Sequence, residues 1–350
     1  MKHILHLLII LLLLFQIPIS NGHTSDLPQC SDSPISPIIP KDDAFHGIRS
    51  NPSVEWWYFD AVFDNGYGVH VGLKVISLGR WGIVRELINI YKDTELKEKA
   101  YATRSLHDYK ISMDKPDIKK NSQKILAFNH DEYNKTNQWN YAISLAVKHL
   151  SVQLQFKGIS QGFKYETSHE GWTVAQPKAL VNGTLRINDT LLPVQGTGYH
   201  DHNWNFSIGT GIRAIGWYWG KITSSNYTLT WAKIKKTTFA DDTIVTNLGI
   251  LNTKHKGFEY IHPNNITFTT SDLVYQNGRF IPTELTLTIK QDDIDIDVTL
   301  TATSIQRTRP KLLTLHYWRY FVTISGHIKN NDHTDHLNDD IQIIEYMRFI

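Results

Sequence analysis

The chain has 350 residues, of which 41% are hydrophobic and 20% are charged, and its formal net charge is +2. A charge this small gives no support for nucleic-acid binding, which needs a concentrated basic surface. The length favours two domains of ordinary size or one large double-layered β structure. Aromatic residues are abundant, with 10 Trp, 16 Tyr and 14 Phe, and such residues favour strands and line pockets for apolar ligands.

The first 22 residues have the features of a signal peptide. A short basic start precedes an unbroken apolar run from Leu7 to Phe15, and small residues follow at Ser20 and Gly22. Cleavage there would start the mature chain at His23. Because the run is too short for a comfortable membrane span, we expect a secretory-pathway protein with no span after cleavage. An uncleaved anchor is the alternative.

Sequons and cysteine content are consistent with that compartment. The single cysteine, Cys30, cannot form an intrachain disulfide, so stability must come from packing. Six asparagines begin an Asn-x-Ser/Thr sequon, which predicts a glycoprotein: Asn134, Asn182, Asn188, Asn205, Asn226 and Asn265.

The first ordered elements are predicted to be strands. Residues 23–44 are rich in Ser, Pro and Asp and predict an extended lead-in, with order beginning near Phe45. Ser53–Phe63 is a predicted strand of large residues that is followed by a turn and by a partner strand over Tyr67–Ile76. The polar region 92–123 predicts a long excursion between strands.

The later chain continues the pattern of short strands. Thr283–Lys290 and Ile294–Leu300 alternate strictly between apolar and polar residues, as a strand does when one face lies in a core and the other in water. No helix longer than about three turns is predicted. Many short strands with regular turns predict an all-β fold of two tandem antiparallel barrels, the first over 45–204 and the second over 205–350.

The most unusual stretch is Gly196–Trp204, which combines histidine, aspartate, asparagine and large aromatics. As a strand it would present His200, His202 and Trp204 on one face and Tyr199, Asp201 and Asn203 on the other. Three interpretations stay open. A zinc site through both histidines lacks a third ligand, so no metal is predicted. An acid–base site needs a His or Asp whose pKa is shifted by burial. In a structural clasp, these side chains would satisfy each other and tie two domains together.

Two further aromatic stretches supply candidate residues. Glu55 beside Trp57 could be a carboxylic acid that an apolar wall keeps neutral and hence a proton donor, or it could pair with Arg85. Trp217, within Gly216–Gly220, is expected to line a core and a pocket. The sequence has no Walker or dinucleotide motif, so nucleotide and dinucleotide functions lack support.

Glu55-Trp-Trp-Tyr-Phe59, followed later by Gly198-Tyr-His-Asp-His-Asn-Trp204, resembles the hydroxyneurosporene synthase and AttH-like family. That family includes bacterial carotenoid 1,2-hydratases, and certain fungal Diels–Alderases resemble the same group. The likeness runs from about Phe45 to the C-terminus. It implies two tandem lipocalin-like β-barrels, an apolar small-molecule ligand and no redox cofactor.

The resemblance also implies roles for individual residues. In carotenoid hydratases the counterparts of His202 and Trp204 are implicated in acid-catalysed addition of water to a C=C bond. Two departures count against carotenoid hydration itself and leave the fold unaffected. Asn205 stands where the family commonly has glycine, and Tyr227–Lys233 has no carboxylate where hydratases are expected to carry an aspartate.

We therefore expect a secreted protein that acts on an apolar unsaturated small molecule by cofactor-independent hydration, isomerisation or cyclisation. His202 would be the general acid or base, and Asp201 or Glu55 the proton donor or orienting group. The alternatives are a non-catalytic carrier of lipid or pigment and a surface attachment protein. The candidate catalytic residues are His202, Asp201, His200 and Glu55, and the candidate ligand-binding residues are Trp57, Tyr199, Asn203, Trp204 and Trp217.

Overall fold

The protein is described by a computed structural model. Pro34–Ile350 forms one compact unit. The predicted signal peptide, Cys30 and the first part of the lead-in lie outside the described residues. No helix in the described part of the chain is long and apolar enough to cross a membrane. The structure describes residues 34–48, 52–79, 81–167, 170–207, 214–237, 243–254, 257–276, 278–308 and 316–348.

The first sheet contains thirteen antiparallel strands, with a short helix α1 (His130–Thr136) and two 3-10 turns (Pro40–Asp43 and Leu106–Asp108) between them. The strands are β1 (Ile35–Pro37), β2 (Ser53–Phe63), β3 (Tyr67–Leu78), β4 (Trp81–Lys92), β5 (Glu95–Ser105), β6 (Tyr109–Ile111), β7 (Ile118–Lys120), β8 (Gln123–Phe128), β9 (Asn140–Val147), β10 (Leu150–Gly158), β11 (Phe163–Glu166), β12 (Gly171–Ile187) and β13 (Thr190–Ser207). Their order is β5-β4-β3-β2-β13-β12-β10-β9-β8-β7-β6, with β11 joined to β12 and β1 joined to β11.

The second sheet contains nine antiparallel strands and one 3-10 turn (Pro263–Asn265). The strands are β14 (Ala214–Thr223), β15 (Tyr227–Thr237), β16 (Thr243–Thr253), β17 (Gly257–Ile261), β18 (Ile266–Gln276), β19 (Arg279–Gln291), β20 (Ile294–Thr308), β21 (His316–Asn330) and β22 (His333–Arg348). Their order is β17-β16-β15-β14-β22-β21-β20-β19-β18. The predicted all-β fold of two tandem lipocalin-like barrels is confirmed.

The alternation of side chains decides which face of each strand is buried. In β20 the four apolar residues of the predicted alternating strand lie in the core of the second sheet, and the acidic and hydroxyl residues between them are more exposed. Each sheet has a buried apolar cluster of its own. Since β20 buries one face only, its apolar residues are those at every second position: Ile294, Ile296, Val298 and Leu300.

A third apolar cluster, which we call the seam, lies between the two sheets. Its members come from both sheets, so the sheets share buried surface and pack together. The chain changes from the first sheet to the second between Ser207 and Ala214. The seam contains Ile35, Tyr58, Phe163, Trp172, Val174 and Tyr199 from the first sheet, and Trp219, Ala232, Leu248 and Ile250 from the second.

The structure corrects two sequence predictions. The region 92–123 is not an excursion, because it forms all of β5, β6 and β7. β5 lies at the end of the strand order and is exposed over most of its length, so it lacks the apolar alternation that marks a half-buried strand. Order also begins before Phe45, because β1 pairs with β11 and Asp43 is fully buried.

Candidate functional site

The His-Asp-His-Asn-Trp stretch lies on β13, between β2 and β12. β13 pairs with β2 so that His200 faces Phe59, and His202 faces Trp57. The side chains alternate as predicted, because the two histidines lie on the inner face of the first sheet and Asp201 lies on the face toward the seam. The stretch therefore contributes to two separate groups of polar residues. The one around His200 and His202 is called the inner group, and the other lies around Asp201 at the seam.

His200 belongs to the inner group and holds the lead-in against the sheet. Its ring stacks on Phe59 with a centroid distance of 3.8 Å. Its Nδ1 donates to the Tyr58 carbonyl over 2.9 Å, and its Nε2 lies 3.0 Å from Asp43 Oδ2, which also accepts from the Tyr141 hydroxyl over 2.6 Å. Both ring nitrogens are engaged and the side chain is fully buried, which is the arrangement of a structural clasp.

His202 lies two residues further along the same face, in a stack of aromatic rings. It packs on Trp57 at 4.3 Å, and the neighbouring His46 packs on Trp204 at 3.9 Å. Its Nε2 lies 2.9 Å from Glu55 Oε1, but the approach is poorly directed for a hydrogen bond, so the contact is mainly electrostatic. His46 Nδ1 lies 3.1 Å from the same oxygen. Trp204 also closes over Gly171, where an added methyl group would overlap its indole ring.

The charges in this inner group differ from the sequence prediction. Burial acts to raise the pKa of Glu55, but the close contacts and charges of His202 and His46 outweigh it, so the pKa is lowered. Glu55 is therefore an ionised carboxylate at neutral pH, which contradicts the alternative of a neutral proton donor and favours that of an ion-paired carboxylate. Its partners are the two imidazoles, not Arg85. Burial lowers the pKa of His202, against the opposing effect of Glu55.

The inner group also contains the residues that could hold a metal ion. The ligand atoms of His46, Glu55 and His202 lie within 4.8 Å of one another. The zinc pair considered from the sequence, His200 with His202, is wrong because both nitrogens of His200 bind protein oxygens. Asp43 Oδ1 lies 3.5 Å from His202 Nδ1 and orients that ring. We interpret the three as an ionic network, since the Glu55 charge already faces both imidazoles.

Asp201 lies on the opposite face, at the seam. Its Oδ2 accepts hydrogen bonds from Trp172 Nε1 at 2.9 Å and from the Tyr199 hydroxyl at 2.8 Å, and its Oδ1 accepts from Asn203 Nδ2 at 3.1 Å. Burial raises the pKa of Asp201 to about 7, and the hydrogen bonds from Trp172 and Tyr199 only partly oppose this effect. Asp201 is therefore the predicted site residue that exchanges a proton near neutral pH.

The surroundings of Asp201 are aromatic. Tyr199 meets Trp219 edge-on at 5.0 Å, and Trp219 meets Tyr58 edge-on at 5.5 Å. Trp56 and Trp217 are half-buried and pack against the same cluster, so the predicted pocket residue Trp217 does line the seam. These rings supply an apolar wall beside a carboxyl group that gains and loses a proton.

Two open grooves lie elsewhere on the surface. One, of about 680 Å³, opens beside Phe45 and Ile48, on the side of the first sheet that carries the inner group. The other, of about 700 Å³, lies at the turns after β19 and β21. Neither is lined by a predicted site residue.

Sequence reasoning missed several residues that complete the two groups. Asp43 comes from the end of the lead-in, His46 from the segment just after it, Tyr141 from β9 and Trp172 from β12. None belongs to a motif. Strand pairing brings Tyr141 and Trp172 to the site, and contacts of the segment before β2 bring Asp43 and His46 there. The signal that could have pointed to His46 is its position one residue after the predicted start of order.

Comparison with known proteins gives one family match. The model of the AttH-like family matches residues 87–334, which is well over half of the chain and includes β13. The matched stretch begins after the Glu55-Trp-Trp motif. No match was found among curated protein sequences.

Several solved structures share the fold at low sequence identity. An AttH candidate from Nitrosomonas europaea has a TM-score of 0.62 at 13% identity, over 93% of this chain and 99% of that chain. CghA in complex with Sch210972 has a TM-score of 0.57 at 11% identity, over 85% and 89%. Kievitone hydratase from Nectria haematococca has a TM-score of 0.56 at 12% identity, over 89% and 93%.

Proposed function

Because the chain belongs to the AttH-like family, we propose that it is an enzyme that acts on a small apolar molecule by acid–base chemistry, with Asp201 as the proton donor. The observation that carries this proposal is the position of the Asp201 carboxyl group, which is buried beside aromatic rings at the seam and has a pKa of about 7. A carboxyl group in such a place holds its proton until a reacting group accepts it.

The reaction follows from this geometry. The Oδ1 of Asp201 accepts one hydrogen bond, from Asn203, and keeps a position for the acidic proton. Transfer of that proton to a C=C bond forms a new C–H bond and leaves a carbocation, which the faces of nearby aromatic rings stabilise. Water then adds to the cation and returns a proton to the carboxylate. Loss of a different proton would give an isomer, and attack by a second C=C bond would give a ring.

The three hydrogen-bond donors around Asp201 suit the stage of the reaction in which Asp201 is an ionised carboxylate. Once the proton has left, Trp172 and Tyr199 stabilise the charge on Oδ2, and Asn203 stabilises the charge on Oδ1. His200 and His202 support the strand from its opposite face and are positioning residues in this proposal. The half-buried side chains of Trp56, Asn203 and Trp217 form the edge at which a ligand would enter.

Two of the structural relatives agree with a small-molecule function. One is called a hydratase, and the other was solved with a bound small molecule. Their names alone assign no activity here, because at 11% and 12% identity they share the fold only. The apolar nature of the ligand is inferred from the aromatic seam of this chain.

A labelling experiment tests the proposed reaction. The purified protein is incubated with lipid-soluble extracts in water that carries a heavy oxygen isotope, and the products are followed by mass spectrometry. We expect the wild type to convert at least one apolar compound, with label incorporated if it is a hydratase and with unchanged mass if it is an isomerase or cyclase. Asp201→Asn should convert none. If the protein retains a bound apolar compound that neither form converts, the carrier function replaces this proposal.

We further propose that the protein enters the secretory pathway and carries N-linked glycans. The predicted sequons Asn134, Asn182 and Asn188 are exposed and accessible to modification. The Asn226 side chain instead donates to Asp335 Oδ1 at 2.9 Å, so we expect it to stay unmodified. Intact-mass and peptide analysis of secreted protein should show a start at His23 and glycans at the exposed sequons. A full-length, unmodified product would contradict both expectations.

A further inference from the structure

Three cations lie on the face of the first sheet that is turned toward the seam. Lys74 on β3 is paired in register with Trp56 on one side and with Arg85 on β4 on the other. Lys99 on β5 is paired with Asn89 and lies on the same face. Lys74 and Arg85 continue the row that starts at Asn203, which pairs with Trp56. Lys99 lies in the row of Asn89, four residues along β4 from Arg85. The cations therefore begin where the proposed ligand-entry edge ends.

The three cations have no acidic partner. Within the described residues, none of them forms an ion pair, whereas nearby buried cations do. Glu345 is the acid that acts on Lys74, and it is already bound to Arg319 at 2.6 Å. Of the three, Lys74 is half-buried, and Arg85 and Lys99 are exposed. The half-buried ammonium group of Lys74 is unusual without a carboxylate partner, because burial of a charge is unfavourable unless the charge is compensated.

The electrostatics show that the cations repel one another. Burial and then Arg85 lower the pKa of Lys74 to about 8. Burial lowers the pKa of Lys99, and the charges of Arg319 and Arg85 lower it further. In a chain with a net charge of only +2, this is a local concentration of positive charge, and a bound anion would relieve it.

Aromatic rings lie under two of the three cations, Lys74 and Arg85. Lys74 Nζ lies 4.9 Å from the centroid of the Trp56 ring, and the Arg85 guanidinium lies 5.2 Å from that of Tyr101. Lys148 lies 4.8 Å from the same Tyr101 ring. A site that joins apolar rings to uncompensated cations matches a ligand with an apolar body and an acidic head better than a free inorganic anion.

We propose that Lys74, Arg85 and Lys99 bind the carboxylate of an amphipathic acid, whose apolar body lies along Trp56 and Trp217 toward Asp201. The orientation of the ligand's apolar body rests on the proposed function, because that function places the reacting part of the ligand beside Asp201 at the seam. Carboxylate binding extends that proposal by naming the substrate class as apolar carboxylic acids. Two cations in one row suit the two oxygens of a carboxylate.

Binding of defined probes tests the subsite without requiring turnover. Dodecanoate below its micelle concentration, methyl dodecanoate and inorganic phosphate are titrated into the full-length protein and followed by calorimetry and tryptophan fluorescence. We expect dodecanoate to bind at least about tenfold more tightly than its ester, because only the acid offers a charge to the cations. We also expect this preference to fall as salt is added.

Variants separate the subsite from general surface charge. Lys74→Met keeps the length of the side chain and should weaken dodecanoate binding by about tenfold while leaving the ester unaffected. Arg85→Gln should act in the same direction. Lys157→Met, at an exposed position on β10 of the same sheet, is the matched control and should bind like wild type.

Three results would overturn the proposal: equal binding of acid and ester, wild-type binding by Lys74→Met and Arg85→Gln, or displacement of dodecanoate by an equal concentration of phosphate. The same titrations on Asp201→Asn keep the subsite distinct from the reaction. If dodecanoate binds that variant normally and no compound is ever converted, the anion subsite stands and the proposed catalysis fails. If compounds are converted but acids bind no better than esters, the catalysis stands and the subsite fails.

Discussion

Asp201→Asn should abolish turnover and at the same time make the protein more stable at pH 8. Burial raises the pKa of Asp201 from 3.8 to about 7. A pKa unit corresponds to about 1.4 kcal/mol, so ionisation of this group opposes folding by up to about 4 kcal/mol. Between these two pKa values the folded protein binds more protons than the unfolded chain, so stability falls as pH rises through that window. Asparagine has no charge to bury and removes this effect.

Urea unfolding of wild type and Asp201→Asn at several pH values measures the difference. We expect the free energies of unfolding to be similar near pH 4 and to separate as pH rises, with the variant more stable above pH 7. The groups that face Asp201 are Trp172, Tyr199 and Asn203 by hydrogen bonds and His200 and Glu345 by charge, and the substitution leaves all of them in place. Parallel curves would show that Asp201 does not titrate near neutrality.

The matched control is Asp43→Asn, the same chemical change at a buried carboxyl group on the inner face. Asp43 accepts from Tyr141 and contacts His200, so its loss should destabilise the protein at every pH tested.

Wild-type activity should decline above pH 7 as the proton on Asp201 is lost, by about tenfold for each further pH unit. A gain in stability combined with a loss of activity is the behaviour of a functional residue held in an unfavourable setting.

The strands that carry a periodic pattern could be predicted from the sequence. β2 begins and ends at the predicted Ser53 and Phe63, and the predicted alternation in β20 matches its burial. β5 could not be recognised, because a strand at the end of a sheet that is exposed on both faces leaves no apolar period in the sequence. The paired aromatic motifs also identified the family correctly.

The site could be predicted only in part. Alternation along β13 correctly separated His202 from Asp201. It did not show which face would meet the second sheet, since that depends on contacts between strands distant in sequence. The sequence leaves the charge of Glu55 open for the same reason: Trp57 beside it is compatible with a neutral acid, while the histidines that ionise it come from β13 and from the segment just after the lead-in. Local sequence shows a side chain's neighbours on its own strand, but its pKa depends on partners from elsewhere.

Lys221→Met should cause one of the largest losses of stability in the protein, about 3–5 kcal/mol. Lys221 on β14 places its Nζ 2.6 and 2.7 Å from the two carboxylate oxygens of Asp60 on β2, and both residues are buried. This ion pair joins the two sheets at the seam. Removal of the lysine leaves the Asp60 carboxylate with only the Tyr58 hydroxyl as a described side-chain hydrogen-bond donor, at 2.9 Å.

The exposed pair Lys290–Asp295 provides the matched control, because its distance is also 2.6 Å but the lysine side chain is 66% exposed. Lys290→Met should change the free energy of unfolding by less than about 1 kcal/mol, since water already solvates both charges. The double variant Lys221→Met with Asp60→Asn should recover much of the stability that Lys221→Met loses, because it removes the stranded charge as well as its partner. Equal losses for Lys221→Met and Lys290→Met would mean that the seam is held by its aromatic packing alone. A large loss that the double variant recovers would show that the lost free energy of unfolding comes from the uncompensated Asp60 charge. Lys221 would then be the residue that allows the Asp60 carboxylate to be buried between the two sheets.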